Sequence, residues 1–274
     1  MLDTKAQKYD IIVLAGQSNA RGQGLGDVTR EWAPDERIYH MTDDANPKFV
    51  KIDGGYKLDL KWPAVNSVDV AEERLNADGE KLGCFGFWFA KRYADTYLAP
   101  DRKVLLIGAN FGGTGFARPE WGVGNIMHTR MTTMIAEALS YNPENRIVAF
   151  LWHQGEHDSA ENADWDPEKR YRVHKENVRA TFADFYKQVE NNTIPIVAGG
   201  FSNEYYLTNQ VACDAVLNAI RECCAEVDGG FVETDDLLSN NQKTGNEDPY
   251  HFCRESLRIL GERYFDEYVR LISR

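Results

Sequence analysis

Residues 10–16 read Asp-Ile-Ile-Val-Leu-Ala-Gly, a short apolar run that ends in a glycine. Four similar segments follow along the chain, at 103–107, 146–152, 194–198 and 230–232. Their apolar residues are continuous and do not alternate with polar ones, which is typical of strands buried on both faces of a parallel sheet. The sequence therefore predicts a parallel sheet at the centre of the protein.

Segments with a helical pattern separate these strands. In most of them apolar side chains recur at steps of three and four residues, as on one face of a helix. The predicted helices cover 85–98, 125–140, 168–190, 209–226 and 255–272. Alternating strands and helices predict a doubly wound α/β sandwich, and the 274 residues suit a single domain over 1–274. Ligands in such folds bind at the carboxyl ends of the strands.

Residues 22–80 interrupt the alternation. This segment contains several prolines and aspartates and shows no clear strand or helix pattern. A connection of this length usually has a function or contains small elements of its own. We interpret it as a long irregular insertion with a small hairpin, and not as a second domain.

Composition and charge exclude several classes of protein. Apolar residues make up 43% of the chain and charged residues 27%, close to ordinary globular usage. No apolar run reaches the length of about eighteen residues that spans a membrane. The formal net charge is −12, from 31 basic and 43 acidic residues. Such a surface repels nucleic-acid phosphates and anionic lipids, so we expect neither nucleic acid nor a membrane as partner.

The cysteines and the N-terminal residues predict a cytoplasmic protein. The five cysteines are an odd number and include no Cys-x-x-Cys pair. Residues 1–5 show no apolar core of a secretory signal. The simplest interpretation of these cysteines is that they are free thiols in a reducing compartment. Neutral small molecules, including sugars and esters, remain candidate ligands, and the oligomeric state stays open.

The first predicted strand ends in Gly-Gln-Ser-Asn at residues 16–19. Ser18 lies there at the carboxyl end of the strand, where backbone N–H groups of the following turn can face a substrate oxygen. This is a suitable place for a nucleophile. A serine before a helix is also a common N-cap, and the tetrapeptide alone does not separate the two.

The second strand continues into a glycine-rich segment, residues 108–115. Glycines let a ligand approach the backbone and can direct N–H groups at an anion. The segment is not a Walker loop, because no Gly-Lys-Ser/Thr follows. A flexible strand–helix connection is the alternative interpretation.

The third strand continues into Trp-His-Gln-Gly-Glu-His-Asp at residues 152–158, for which two interpretations compete. His153, Glu156 and His157 match the H-x-x-E-H pattern of a zinc site, but that pattern needs a helix and this segment follows a strand directly. Alternatively, Gln154 is a side-chain amide donor at the end of the strand.

A fourth block, Asp-Pro-Tyr-His at residues 248–251, precedes the last helix. Asp248 can accept from one ring nitrogen of His251 and leave the other nitrogen as a base. Taken alone, the block also fits an ordinary surface loop.

In this order the four blocks resemble those of the SGNH hydrolase superfamily. They are Gly-Gln-Ser-Asn at 16–19, Gly-Gly-Thr at 112–114, Trp-x-Gln-Gly-Glu-x-Asp at 152–158 and Asp-x-x-His at 248–251. More narrowly, the chain looks like the sialate O-acetylesterase-like branch, which includes acetylxylan esterases of carbohydrate esterase family 6. The resemblance implies a flavodoxin-like three-layer α/β/α fold with a parallel sheet of about five strands, and a serine esterase that needs no metal or cofactor.

The resemblance also implies roles for individual residues. Ser18 matches the nucleophile, His251 the general base and Asp248 its orienting partner. The backbone N–H of Ser18, an N–H of Gly112 or Gly113 and the side chain of Gln154 match the oxyanion hole. Four further residues match positions that brace the site: Gln17, Asn19, Glu156 and Asp158. One departure is that a methionine often follows Gly-Gln-Ser-Asn, whereas this chain continues with Ala20 and Arg21.

The substrate implied by the resemblance is the acetyl ester of a small molecule or oligosaccharide, such as acetylxylan or acetylated sialic acid. Sugars stack on aromatic faces, so exposed aromatic residues are candidates for the rim of the substrate site. The alternative is that each of them is an ordinary half-buried aromatic with no role in binding. The candidate rim residues are Trp62, Trp121, Trp165, Tyr205 and Tyr206. Two other functions remain open, a zinc hydrolase that uses His153 and His157, and a non-catalytic sugar-binding module on the same fold.

Overall fold

The computed structural model describes residues 6–118, 120–160 and 165–274. The strands in this part of the chain are β1 (Tyr9–Gly16), β2 (Ile38–Asp43), β3 (Lys48–Ile52), β4 (Gly55–Asp59), β5 (Asn66–Val70), β6 (Arg74–Leu75), β7 (Lys81–Leu82), β8 (Lys103–Asn110), β9 (Arg146–His153), β10 (Ile196–Gly199) and β11 (Gly230–Val232). The α-helices are α1 (Ser18–Arg21), α2 (Phe85–Thr96), α3 (Ile126–Ser140), α4 (Glu156–Ala160), α5 (Pro167–Val189), α6 (Asn203–Thr208), α7 (Gln210–Glu226), α8 (Asn240–Thr244) and α9 (Arg254–Ile272).

The main sheet has seven strands in the order β11-β10-β9-β1-β8-β2-β5. Every neighbouring pair is parallel except β2 and β5, which are antiparallel. Side chains of β1 alternate between two cores. Ile11 and Val13 pack in the core that contains α3, α5 and α7, whereas Ile12 and Leu14 pack in the core that contains α2 and α9. The predicted three-layer α/β/α sandwich is therefore confirmed.

The five predicted strands and the five predicted helices are all present, with ends shifted by a few residues. The prediction for 22–80 is wrong in part, because this segment is not merely irregular. It contributes β2 and β5 to the main sheet, which has seven strands and not about five. The expected small hairpin is present as β3 and β4. β2 was not predicted because polar His40 and Thr42 alternate with the buried Met41. The predicted strands are continuous apolar runs.

Three strands bring their carboxyl ends together at one edge of the sheet. In the register of β1, Gly16 lies opposite Asn110 of β8 on one side and His153 of β9 on the other. A Cβ on Gly16 would lie 2.0 Å from the carbonyl oxygen of His153, and its φ of 142° also favours glycine. This close approach lets the N–H of Gln17 donate to the His153 carbonyl at 3.1 Å. The loops after β1, β8 and β9 thus leave the sheet side by side.

The last helix follows the fourth sequence block directly. α9 begins at Arg254 and packs the buried stripe of Leu257, Leu260 and Tyr264 against α2. All five cysteines are unpaired. No helix within the described residues is both long and apolar enough to cross a membrane.

Candidate active site

Ser18 and His251 line one cavity of about 280 Å³ at the carboxyl ends of the strands. Ser18 is the first residue of α1 and is 8% exposed. The first N–H groups of a helix have no intrahelical acceptor, so the Ser18 N–H can donate to a ligand. The complete lining consists of Gln17, Ser18, Asn19, Gly113, Glu156, His157, Ala160, Tyr250 and His251.

Asp248 orients the imidazole of His251. Nδ1 of His251 lies 2.7 Å from Oδ2 of Asp248, and Oδ1 of Asp248 accepts from the His251 N–H at 3.2 Å. Asn240 donates to Oδ2 at 3.1 Å. Burial alone would raise the pKa of Asp248, but the hydrogen bonds from His251 and Asn240 hold it below its usual value. The carboxyl group is therefore ionised at neutral pH and fixes Nδ1 as the bonded ring nitrogen.

Asn19 connects the serine turn to the histidine loop. Its Nδ2 donates to the carbonyl of Tyr250 at 3.1 Å, and its Oδ1 accepts from the N–H of Phe252 at 3.2 Å. These two peptide groups lie on either side of His251. The same Nδ2 donates to Oε1 of Glu156 at 2.6 Å, so one side chain joins the first, third and fourth sequence blocks.

Glu156 is a buried carboxylate in the lining of the cavity. Burial would raise its pKa, but the neighbouring His153 ring and the amide of Asn19 keep the pKa below its usual value. His153 is fully buried, its Nδ1 lies 3.0 Å from the hydroxyl of Tyr264, and its Nε2 lies 3.6 Å from Oε1 of Glu156. The arrangement keeps a negative charge on Glu156, which holds the amide of Asn19 in one orientation.

The glycine-rich loop presents two backbone donors near Ser18. A Cβ on Gly112 would lie 3.4 Å from the Cβ of Ser18, and Gly113 lines the cavity with a φ of 70°. In the described part of the chain neither N–H of this pair has a hydrogen-bond acceptor. Neither N–H group is therefore committed to another acceptor among the described residues.

Asp158 holds the rest of that loop in place. Its Oδ1 accepts from the N–H groups of Phe116 at 2.9 Å and Ala117 at 2.7 Å. A Cβ on Gly115 would lie 2.4 Å from the same oxygen, so only glycine fits there. Burial would raise the pKa of Asp158, but His174 and these N–H groups lower it. Asp158 is thus an ionised carboxylate that holds the backbone at residues 116 and 117.

Gln154, the expected amide donor, is oriented into the protein. It is fully buried and does not line the cavity. Its Nε2 donates to Oδ2 of Asp158 at 2.7 Å and lies 3.3 Å from both the Thr114 carbonyl and Oε1 of Gln17. An amide nitrogen has two protons, and these three acceptors use both. The geometry therefore differs from the predicted donation by Gln154 to the substrate.

Gln17 has the orientation that was expected of Gln154. It lines the cavity next to Ser18, and its Oε1 accepts from the backbone N–H groups of Gly155 at 3.2 Å and His157 at 3.3 Å. Two backbone donors identify this atom as the oxygen and leave Nε2 as the other end of the amide. No hydrogen bond joins Nε2 to any residue that the structure describes. The sequence resemblance implied only a bracing role for Gln17.

None of the five predicted rim residues lines the cavity at Ser18. The prediction is wrong for Trp121, which is fully buried, packs edge-on against Trp152 and donates from Nε1 to Oγ1 of Thr114. Tyr205 is also buried, but its ring lies 4.8 Å from that of Tyr250, which does line the cavity. Trp62 is exposed, whereas Trp165 and Tyr206 are half-buried, and none of the three lines this cavity. Sequence reasoning missed Tyr250, although it lies inside the Asp-x-x-His block.

The two histidines of the zinc alternative occupy different surroundings. His153 is enclosed by Phe85, Phe252 and Tyr264, whereas His157 lies on α4 and lines the cavity. Within residues 6–118, 120–160 and 165–274, no three His, Cys, Asp or Glu side chains are grouped as metal ligands.

A serine after the first strand, a glycine loop after its neighbour and a histidine before the last helix define an SGNH-type hydrolase. The family model for carbohydrate esterases described as sialic acid-specific acetylesterases matches residues 8–270. The chain belongs to this family, and the predicted resemblance is confirmed. It is therefore a carboxylic ester hydrolase of the carbohydrate O-acetylesterase class.

Solved structures agree on the fold. NanS is 16% identical, with a TM-score of 0.72 over 98% of both chains. A carbohydrate acetylesterase from Xanthomonas citri is 14% identical, with a TM-score of 0.57 over 93% of this chain and 54% of that one. A lipase/acylhydrolase from Enterococcus faecalis is 12% identical, with a TM-score of 0.52 over 95% and 96%. A search of curated proteins found no significant match.

Proposed function

We propose that this chain removes O-acetyl groups from carbohydrates through an acetyl-enzyme on Ser18. One observation carries the proposal: His251, held by Asp248 at 2.7 Å, lines the same cavity as Ser18. A serine, a histidine and an orienting carboxylate are the groups that acyl transfer requires. The family description and the fold support an acetyl ester as the substrate.

In the first half of the reaction, Oγ of Ser18 attacks the carbonyl carbon of the acetyl group. His251 takes the hydroxyl proton, and the ionised Asp248 stabilises the imidazolium that results. The proton then passes to the sugar oxygen as the ester bond breaks. The acetyl group remains on Ser18, and the sugar leaves as an alcohol.

The oxyanion needs donors that are in place before charge develops. The N–H of Ser18 and the N–H groups of Gly112 and Gly113 supply the backbone part. For the side-chain donor we propose Gln17, because its oxygen is fixed by two backbone N–H groups and its nitrogen makes no hydrogen bond within the described residues. Gln154 then acts by holding Gln17, Thr114 and Asp158 in position.

The second half of the reaction releases acetate. His251 takes a proton from a water molecule, which attacks the acetyl carbonyl. The same donors stabilise the second oxyanion, and Ser18 leaves with the proton from His251.

The proposal is tested by variants assayed on an aryl acetate and on acetylated xylo-oligosaccharides or acetylated sialic acids. Ser18→Ala and His251→Ala should each remove nearly all hydrolysis, and the double variant should be hardly slower because members of a triad act as one unit. Ser140→Ala, an exposed residue on α3, is the matched control. Mass spectrometry should detect an acetylated wild-type enzyme and an unmodified Ser18→Ala protein. Full activity in Ser18→Ala would refute the proposal.

A further inference from the structure

Tyr250 is the residue directly before His251, and it lines the cavity at Ser18. It is 44% exposed. Besides the imidazoles of His157 and His251, it is the aromatic side chain among the described residues that line this cavity. The proposed reaction steps use the serine, the histidine, the carboxylate and the oxyanion donors, and they leave Tyr250 without a role. A tyrosine combines a large apolar face with a polar tip, so an exposed one beside reacting groups can contact a ligand with both.

The proposed mechanism determines which part of the substrate comes to this side of the cavity. His251 returns its proton to the alcohol oxygen as the ester bond breaks, so that oxygen must lie within hydrogen-bonding reach of the imidazole. The oxyanion instead faces the donors at Gln17 and 112–113. The alcohol part of the ester therefore leaves beside the histidine loop, and Tyr250 is the aromatic residue that this loop contributes to the lining.

The backbone of Tyr250 is held by the same two side chains that hold the histidine loop. Its N–H donates to Oδ1 of Asp248 at 3.2 Å, and its carbonyl accepts from Nδ2 of Asn19 at 3.1 Å. Oδ2 of Asp248 lies 2.7 Å from Nδ1 of His251, and Oδ1 of Asn19 accepts from the N–H of Phe252. The position of Tyr250 relative to the general base is therefore fixed.

The ring of Tyr250 packs on a second, buried tyrosine. Its centroid lies 4.8 Å from that of Tyr205, with 42° between the ring planes. Tyr205 is 3% exposed, and its hydroxyl donates to the Glu156 carbonyl at 3.1 Å and lies 2.7 Å from Oγ of Ser159. A ring that is supported in this way loses little freedom when a ligand binds on it, which favours affinity.

The rest of the lining offers hydrogen bonds to the alcohol and no positive charge. No hydrogen bond joins the hydroxyl of Tyr250 to any residue that the structure describes. The described lining contains neither lysine nor arginine. The surface beside His251 thus suits an alcohol that has an apolar face and hydroxyl groups at its edge.

We infer that Tyr250 is a specificity-determining residue whose ring stacks on the pyranose ring that bears the acetyl ester. The C–H groups of a pyranose form an apolar face that can pack on an aromatic ring, and its hydroxyls remain at the edge, within reach of polar groups. The inference rests on the proposed function. It adds a preference for esters of cyclic sugars over esters of acyclic alcohols.

The test compares two acetyl esters of polyhydroxy alcohols, a monoacetylated methyl xylopyranoside and glycerol monoacetate. The wild type should have a kcat/KM at least about tenfold higher for the pyranoside, mainly through KM, because only the cyclic sugar presents a face to the ring. Tyr250→Ala should bring this ratio close to one, since the stacking and the apolar area that it buries are both lost. Tyr250→Phe and Tyr250→Trp should keep most of the ratio, because each retains an aromatic face.

Tyr56→Ala is the matched control, because Tyr56 is 56% exposed on β4 and does not line the cavity at Ser18. It should leave the ratio unchanged. If Tyr250→Ala acted only by displacing His251, it would slow both substrates by the same factor and leave the ratio unchanged, which would overturn the inference. A ratio as low in Tyr250→Phe as in Tyr250→Ala would also overturn it, since recognition would then depend on the hydroxyl and not on the ring.

Saturation-transfer NMR on Ser18→Ala with methyl xylopyranoside gives a readout that needs no turnover. Saturation of the aromatic protons of the protein should pass to the C–H protons of the sugar, and the transfer should fall when Tyr250→Ala is added. Equal transfer in both proteins, or a wild type with no preference for the pyranoside, would overturn the inference. Retained activity in Ser18→Ala would remove the proposed function and the inference with it. An inactive Ser18→Ala together with an unchanged ratio in Tyr250→Ala would remove only the role of Tyr250.

Discussion

Asn19 is hydrogen-bonded to the backbone on both sides of His251, at 3.1 Å to the Tyr250 carbonyl and 3.2 Å from the Phe252 N–H. The residue next to Ser18, the proposed nucleophile, therefore fixes the backbone on both sides of His251, the proposed general base. Glu156 accepts from the Asn19 amide at 2.6 Å, so a buried carboxylate holds the side chain that bonds to the histidine loop. We therefore propose that Asn19 positions His251 for the reaction.

Asn19→Ala should lower kcat for aryl acetates by about 10- to 100-fold with little change in KM, since a displacement of about 1 Å at a catalytic group has a cost of this order. The unfolding free energy should fall by about 1–3 kcal/mol, because buried partners lose their hydrogen bonds. Steady-state kinetics and urea unfolding measure the two effects. Asn218→Ala, an exposed residue on α7, should change neither. A kcat within about threefold of the wild type would contradict the role.

Gln17→Ala should lower kcat by about 100- to 1000-fold and affect KM much less, the range for one lost oxyanion donor. Gln17→Glu should be as slow or slower, because a carboxylate at this position repels the oxyanion. Gln154→Ala is the informative comparison. It should lower thermal stability, since Gln17 and Asp158 lose a shared partner, and should lower kcat less than Gln17→Ala does. If Gln154→Ala instead lowered kcat more than Gln17→Ala, Gln154 would be the oxyanion donor.

The strands that carry the site could be predicted closely from the sequence. β1, β8 and β9 are buried on both faces, and burial of this kind leaves a continuous apolar run in the sequence. β2 could not be found in this way. Its buried Met41 lies between His40 and Thr42, and a strand this short with mixed polarity resembles a loop.

Side-chain direction at the site was the harder part to predict. Gln17 and Gln154 are both amides next to a glycine at the end of a strand, so the sequence places both near Ser18. Which amide faces the cavity depends on the turn at Gly16, whose φ of 142° no residue pattern reports. Trp121 shows the same limit, because its ring packs edge-on against Trp152 in the core, a contact that no sequence pattern reports.

Activity should survive dialysis against EDTA, and the purified protein should contain no stoichiometric zinc. The physical reason is that Nδ1 of His153 faces the hydroxyl of Tyr264 in an aromatic enclosure, away from the cavity that His157 lines. Atomic absorption and a chelator titration measure this. His153→Ala should destabilise the fold because the packing around it is lost. An enzyme inactivated by the chelator and restored by zinc would support the zinc hydrolase instead.

Asp158→Asn should change how stability depends on pH. The pKa of Asp158 is lower in the folded protein than in the unfolded chain, so the folded state binds fewer protons and stability rises with pH in this range. The contribution is complete above about pH 5 and is lost as the pH falls through about 4 toward the lowered folded value. Urea unfolding of both proteins between about pH 3 and pH 6 measures the difference. The destabilisation caused by the variant should be largest at the upper end and shrink as the pH falls; a pH-independent difference would mean that the charge of Asp158 does not hold the loop.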